Sequence, residues 1–576
     1  MADPQEVLAQ RVQAAITAAF GASCAGTDPV IRPSSFADFQ SNAALPLAKR
    51  LGRPPREVAA EIGAHLDLAG VVAESEISGP GFINFTLADG WIAGQATAQL
   101  ADPRLGVATI TPSQTVVVDY SGPNVAKELH VGHLRATVVG DAVARTLAFL
   151  GQKVVRAAHL GDWGTPFGMM IERALEIGQG ATHAQLAAGE FTAFYQAARA
   201  EFDADTAFAE RARRRVATLQ AGDTESLRLW QLLVDAAMEY LTSLYRRLGV
   251  SLTAADMAPE SFYNPMLAEV CAELEAAGLA VISEGALCAF PPGFTGREGA
   301  PIPLILRKSD GAYGYDTTDV AAIRYRLVDL KAHRIVYVVG SEQSQHLQMV
   351  FALARQAGWL TDEARAEHAV IGLVTGADGK RLKTRAGEQV KLVTLIDEAV
   401  ERAGRVIADR YDDPAERDTI AEAVGIGALK YGDLSVARHS SYAMDFDRML
   451  GLTGNTGPYL QYATARIRSI FRRAGLDPAQ QAGPVAITED AERALALTML
   501  SLGTAVWNAA DSAEPHLLAG FLFEVASAFT TFYEQCPVLQ AGDAAVRDSR
   551  LALSALALRI LLTGLDLLGI PVPERM

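Results

Sequence analysis

The chain has 576 residues, half of them apolar, and carries 67 acidic against 51 basic side chains for a formal net charge of −16. That length exceeds what one ordinary hydrophobic core can serve and predicts three or more packed units, while the apolar content excludes a disordered chain. The acidic balance argues against a uniformly basic nucleic-acid binder but leaves room for local basic faces on an acidic body.

In chain order, the opening "MADPQEVLAQRV" has neither the basic nor the apolar region of a signal peptide, so the expectation is a cytoplasmic protein. Residues 1–108 read as a small α+β unit, with helices in "EVLAQRVQAAITAAF" and "REVAAEIGAHLDLAG" and a strand around "GPGFINFTLAD". From "TVVVDY" onward, short apolar strands alternate with amphipathic helices, the pattern of a doubly wound parallel sheet. "KVVRAAH", "RIVYVVG" and "AVIGLV" are its further strand candidates. Residues 175–265 read as a helical insertion, and 455–576 as an all-α bundle, leaving 109–454 for the sheet unit. The apolar run "LALSALALRILLTGLDLLGI" is broken by Arg559 and Asp566 and reads as one or two buried helices rather than a membrane span. Cys24, Cys271, Cys288 and Cys536 lie far apart with no CxxC pair, which suggests neither a disulfide scaffold nor a thiolate zinc site.

The densest chemistry follows the first strand of the sheet unit. After "TVVVDY" and the turn "SGPN", the run "HVGHLRATVVGDAVARTLAFLG" places His130 and His133 at the start of a helix. A helix N-terminus offers free N–H groups and about half a positive charge, which favours a phosphate. Gly132 lets a ligand approach the backbone, and imidazole N–H groups add donors for charge that builds on a reacting phosphate. A metal would need further ligands that the neighbourhood lacks, whereas a purely structural role for the histidines stays open on these four residues alone.

The surroundings carry a resemblance. "HVGH" resembles the HIGH signature of class I aminoacyl-tRNA synthetases, and "VVVDYSGPNVAKELHVGHLRATVVGDA" with "HLGDWGTPFG" is similar to the arginyl version. "SDGAYGYDTTDVAAI", "VVGSEQSQHLQMVF", "DGKRLKTRAGEQVKL", "LGLTGNTGPYLQYATARIRSI", the terminal "GIPVPERM" and, in the first unit, "DFQSNAALPLAKRLG" extend the resemblance over nearly the whole chain. It implies a Rossmann-like catalytic core at 109–454 with helical insertion and stem-contact region, an N-terminal tRNA-binding domain at 1–108, and an anticodon-binding bundle at 455–576. The implied reaction activates L-arginine with ATP, brought as its Mg2+ complex, and transfers it to tRNA(Arg). No structural metal, no membrane and a monomer are expected.

What the resemblance implies for single residues follows its motifs. His130, Gly132 and His133 would meet ATP. "GKRLKTRAG" stands where the KMSKS signature belongs, so Lys380, Arg381, Lys383 and Arg385 would form a basic lid over pyrophosphate, with Lys127, just before the first signature, sharing the load of Lys383. Asp119, Tyr315 and Asp319 would surround the substrate guanidinium, a planar cation with five donors that paired carboxylates suit, while Ser121, Asn124 and Gln343 would orient its α-amino and carboxylate groups. Such a polar site rejects the wrong side chain by roughly four orders of magnitude without a proofreading domain. Asp162 and Trp163 of "HLGDWG" would stand near the nucleotide, and Pro166 replaces an expected glutamine. In "PYLQYATARIRSIFRRAG", Leu460, Ala463, Ile467 and Ile470 face a core. Tyr459, Tyr462, Arg466 and Arg473 line another side, where Tyr459, Tyr462, Arg466 and, packed nearby, Met576 would serve the anticodon loop. A second class I synthetase with zinc-binding cysteines, or a catalytically dead tRNA-binding relative, are the rival readings.

Overall fold

A computed structural model of the chain describes residues 3–125, 128–296, 299–376, 378–380, 382, 390–408 and 411–576. Thr115–Tyr120 (β1), Lys153–Ala157 (β2), Arg334–Val338 (β3) and Arg365–His368 (β4) form a parallel sheet in the order β4-β3-β1-β2. β1 and β3 are buried almost throughout, which is why both read as continuous apolar runs rather than as an alternation. Helix α1 (Val131–Phe149) carries the chain from β1 to β2. It lies so close to the sheet that a Cβ on Gly140 would stand 2.2 Å from that of Tyr120. Because β2 and β3 flank β1 on opposite sides, the carboxyl ends of β1 and β3 open into the crevice where sheets of this kind take ligands.

The strand expected in "AVIGLV" is displaced. β4 ends at His368, and residues 369–373 follow it irregularly before Val374–Thr375 pairs with Tyr442–Ala443: Ala369 N donates to the Tyr337 carbonyl at 2.8 Å and Ile371 N to that of Val339 at 3.0 Å. The segment then bends away, and its apolar residues line a cavity instead of the sheet interior. Ala280–Ser283, Ala286–Ala289 and Leu304–Arg307 make a small antiparallel sheet absent from the sequence reading. The helical insertion contains Gln179–Ala187, Phe191–Ala204, Thr206–Gln220 and Thr224–Arg247. Its "RARRR" run is partly spent on folding, since Arg211 and Arg215 both reach Glu172, the latter at 2.6 Å.

Helix α2 (Tyr315–Arg324) precedes β3 and runs on into a π-helical turn, Tyr325–Asp329. In the C-terminal bundle, α3 (Gly457–Ala474) starts at Thr456, whose hydroxyl accepts from Tyr459 N, and stops at Gly475 in the left-handed conformation. These caps satisfy terminal backbone groups that would otherwise stay unpaired. Leu460, Ala463, Ile467 and Ile470 are buried as the helical spacing requires. The terminal apolar run forms a single helix, Ala544–Leu567, whose Arg559 donates to the Asp102 carbonyl at 2.9 Å. The first unit is thereby seated on the bundle, reinforced by a bidentate pair from Arg493 to Asp38 at 2.8 and 2.7 Å.

A buried polar knot joins the bundle to the sheet. Asp141 of α1 accepts from Tyr120 Oη at 3.2 Å, Ser251 N at 2.8 Å and Arg145 Nε at 2.8 Å. Lys430, also fully buried, donates to the Leu248 carbonyl at 2.9 Å, and burial pushes its amine down to about 8. Gly569 closes the knot: a Cβ there would lie 2.8 Å from Lys430 Nζ and 3.1 Å from Asp141 Oδ2. Arg145 Nη1 also donates to the carbonyl of Asp566, 421 positions later, at 3.4 Å.

Candidate active site

A cavity of about 380 Å³ opens at the carboxyl ends of β1 and β3. Ser121, His130, Gly132 and His133 line one wall, Gly340, Glu342 and Gln343 another, and Ile371–Val374 with Leu382 a third. The two histidines form a reciprocal cap on α1. His130 Nδ1 accepts from Gly132 N at 3.0 Å, His133 Nδ1 accepts from His130 N at 3.1 Å, and the rings lie 3.9 Å apart. With both Nδ1 lone pairs engaged, each neutral ring carries its proton on Nε2. The cap thus fixes the tautomer in which the outer nitrogen is a donor. Gly132 has a further reason to lack a side chain: a Cβ would stand 2.8 Å from the His130 ring, so the imidazole could not fold back over the helix start.

Ser121 sits at φ 54°, the left-handed region, directly after β1. Its hydroxyl accepts from Thr137 Oγ1 at 2.7 Å and shares a 2.9 Å bond with Tyr245 Oη, both behind the cavity wall. The hydroxyl expected to orient a substrate carboxylate therefore holds the strained turn in place. Asn124 pairs with Gly161 across a parallel bridge, and Gln343 stands exposed at the cavity mouth. Lys380 lies on an exposed turn, its N–H donating to Asp378 Oδ1 at 3.1 Å and its carbonyl accepting from Gly376 N at 2.8 Å. Lys127, Arg381, Lys383 and Arg385 lie outside the described residues.

The two aspartates expected to grip a guanidinium are both already partnered. Asp119 Oδ2 lies 2.6 Å from Nη1 of the wholly buried Arg326. Asp319 Oδ2 accepts from His346 Nε2 at 2.6 Å, and its Oδ1 stands 3.6 Å from His159 Nε2. Burial raises the Asp319 carboxyl, but the His346 hydrogen bond and the charges of His159, His346 and Arg326 outweigh it and hold the group below its usual range. Burial likewise disfavours the His346 cation, and Asp319 more than compensates, so that imidazole is held above its usual range. His346 Nδ1 faces Asp316 at 3.5 Å, and the Tyr315 ring stands 5.3 Å from that of His346 at the pocket mouth. Glu260 is pushed up to about 7 by burial, with Asp162 and Asp319 adding to the effect.

Asp162 and Trp163, expected near the nucleotide, are engaged in packing and hydrogen bonds within the fold. Asp162 is fully buried and accepts from Ser261 N at 3.0 Å and Ser261 Oγ at 2.6 Å. Trp163 packs edge-on to Trp230 at 5.1 Å and donates to Asn264 Oδ1 at 3.3 Å. Pro166, the departure from expectation, occupies the first turn of helix Thr165–Ile177, where a missing N–H costs nothing. On α3, Tyr459 Oη meets Thr530 Oγ1 at 3.2 Å, while Arg466 lies 4.3 Å above the Tyr533 ring and Arg473 donates to Tyr533 Oη at 3.1 Å. Tyr462 is half-buried. The tail is laid along α3 by Gln461 Nε2, which donates to the Pro571 carbonyl at 2.7 Å, and by Arg468, which donates to that of Pro573 at 2.8 Å, leaving Met576 packed against the core. His159, Arg326, His346 and Tyr533 escaped the sequence reading, although His159 opens "HLGDWG" and His346 stands in "QSQHLQ", inside motifs that were read, and Arg326 follows "SDGAYGYDTTDVAAI" by three residues.

An open parallel sheet with a histidine-capped helix at its switch point defines a class I aminoacyl-tRNA synthetase core. The family model for the catalytic domain of class I (R) tRNA synthetases matches residues 95–446, that for the DALR anticodon binding domain 460–576, and that for the arginyl tRNA synthetase N-terminal domain 6–87. An arginine–tRNA ligase of Thermobifida fusca is 60% identical over 100% of both chains, and one of Edwardsiella ictaluri 47% identical over 99% of this chain and 100% of its own. Among solved structures, arginyl-tRNA synthetase of Plasmodium falciparum superposes with a TM-score of 0.84 at 28% identity, covering 100% of both chains. That of Thermus thermophilus gives 0.81 at 25% identity, covering 99% of this chain and 100% of its own. The chain belongs to the arginine–tRNA ligase family of class I synthetases.

Proposed function

We propose that the cavity at the end of β1 is where this ligase binds ATP and L-arginine and forms arginyl-adenylate before passing the arginyl group to the 3′ end of tRNA(Arg). The reciprocal histidine cap carries this reading. It holds both imidazoles with the proton on Nε2 beside a helix N-terminus on one wall of the cavity, while Asp119 stands at the end of β1 two residues before the lining Ser121, so an anion site and an acidic cluster flank the same strand end. In the first step the arginine carboxylate attacks the α-phosphate, a new acyl–phosphate bond forms, and pyrophosphate leaves with the bond's electron pair. His130 and His133 stabilise the charge that moves onto phosphate oxygens. Lys127, Lys380 and Lys383 supply counter-charge to the departing pyrophosphate, and Mg2+ arrives with ATP as part of the substrate. Asp119, Tyr315 and Asp319 hold the side chain, Asn124 and Gln343 the α-amino and carboxylate end, and Ser121 acts through the turn it braces.

Units 1–108 and 455–576 hold the tRNA, with Tyr459, Tyr462, Arg466 and Met576 near the anticodon loop. The protein works as a cytoplasmic monomer. Pyrophosphate exchange measured with each amino acid, in the presence and absence of tRNA(Arg), tests the reading. Exchange is expected with arginine alone and is stimulated by the tRNA. Equal exchange with another amino acid, or none under any condition, overturns it.

A further inference from the structure

Tyr315, Asp319 and Arg326 stand four and seven positions apart along α2 and its π-helical extension, which brings all three to one face. Exposure falls along that face: the Tyr315 residue is 65% accessible, the Asp319 side chain 27% and the Arg326 side chain 1%. Seven helical residues rise about 10 Å, so Arg326 lies well below the carboxylate of Asp319. At that depth it meets Asp119, which reaches the same place from the end of β1. The Tyr337 ring of β3 lies 5.1 Å from the Arg326 guanidinium carbon. A π-helical turn is a costly irregularity that re-aims side chains and is frequent at functional sites. Here it occurs at the residues that deliver the arginine.

The contact to Asp119 is close but off-line for a hydrogen bond. Among the described residues, neither Arg326 Nη1 and Nη2 nor the Tyr337 hydroxyl finds a well-aligned hydrogen-bond partner, although Asp119, Tyr263 and Tyr337 all stand beside the guanidinium. Buried donors in that state are expensive and call for an explanation. A guanidinium cannot shed its charge to escape the cost, so a fixed cation with imperfectly satisfied donors remains beneath the Asp119 carboxylate.

We infer that Arg326 is the floor of the arginine side-chain pocket and a positioning residue for Asp119: it holds one carboxylate oxygen, so that the other is presented at a fixed angle to the incoming guanidinium. This rests on the reading of Asp119 and Asp319 as the substrate's partners. One carboxylate then bridges two guanidinium groups, one belonging to the protein and one to the substrate. The bridging also explains how two aspartates survive near each other: each keeps a resident donor, Arg326 for Asp119 and His346 for Asp319.

Steady-state kinetics of Arg326→Lys, Arg326→Met, Asp119→Asn and the double variant Asp119→Asn/Arg326→Met test it. Arg326→Met is expected to raise KM for arginine at least tenfold, with kcat and KM for ATP within twofold of the parent. Arg326→Lys, which keeps the charge but not the fork, should fall between, at about fivefold. In the double variant the methionine should add little to the effect of Asp119→Asn, because the residue to be positioned is already gone. Should Arg326→Met fail to fold, Arg326→Lys decides alone. An arginine KM within twofold of the parent in a folded Arg326 variant, while Asp119→Asn raises it, overturns the inference and spares the pocket. An unchanged arginine KM in Asp119→Asn overturns the pocket reading itself. Equal losses in arginine KM, ATP KM and kcat identify Arg326 as a merely structural residue and also overturn the inference.

Discussion

The histidine cap on α1 and the acidic cluster around Asp119 and Asp319 are built by opposite means. At the cap, a few consecutive residues do most of the work: the helix start supplies the field, two imidazoles cap it, and Gly132 leaves room for a ring. In the acidic cluster each carboxylate depends on partners outside its own segment, Asp119 on Arg326 207 positions on, and Asp319 on His346 27 positions on and His159 160 positions back. A phosphate can be met by backbone donors that any helix owns, whereas a guanidinium needs acids, and buried acids need company. The local end is robust to its surroundings; the distributed end is only as good as its farthest member.

Substitutions can break that contrast in order of effect. Asp319→Asn removes a buried acceptor that answers a charged ligand, a loss of about 2–5 kcal/mol. kcat/KM for arginine should fall roughly 10²- to 10³-fold, mostly through KM, while KM for ATP holds; a comparable rise in ATP KM would merge the two ends into one. His133→Ala should do the reverse, lowering kcat of exchange about 10²-fold through lost transition-state stabilisation, with arginine KM little changed. Gly132→Ala should cost about tenfold in kcat, because the new Cβ would displace the His130 ring. Retained activity would show that His130 does not need its folded-back position.

The smallest effect is thermodynamic. Glu260 ionises near 7 in the folded protein against an ordinary value of 4.5. An acid raised on folding contributes a destabilisation that is absent below its unfolded value, grows as pH rises between the two values and is complete above the folded one. Glu260→Gln should therefore match the parent in Tm at pH 4.5 and exceed it by a few degrees at pH 8. A difference that does not change with pH would place the carboxylate in water.

The same contrast explains what could be read in advance. "HVGH" after a strand needs only neighbouring residues to predict a capped helix at a sheet edge, and that is where His130 and His133 lie. "TVVVDY" and "RIVYVVG" became strands because a sheet buried on both faces leaves an unbroken apolar run, and "KVVRAAH" became the half-exposed strand at its edge. "AVIGLV" has the same texture but lines a cavity, since an apolar wall and an apolar strand look alike in composition. The partner of Asp119 was invisible because ion pairing across 207 residues leaves no periodic trace, nor does the 160-residue reach from Asp319 to His159, and Tyr245, 124 positions away, binds the Ser121 hydroxyl with as little warning. Asp162 and Trp163 sat in a motif, yet Ser261 and Trp230 turn them into packing.

The knot under Gly569 carries a consequence for synthesis. Asp141 and Arg145 belong to the helix that begins at the nucleotide site, yet the backbone that shields them is made 421 positions downstream of Arg145. On a ribosome the sheet unit emerges long before its own lid, with a lysine and an aspartate facing solvent where the finished protein is dry. Early segments can fold as they appear, but this helix waits for the far end of the polypeptide to arrive and seal it.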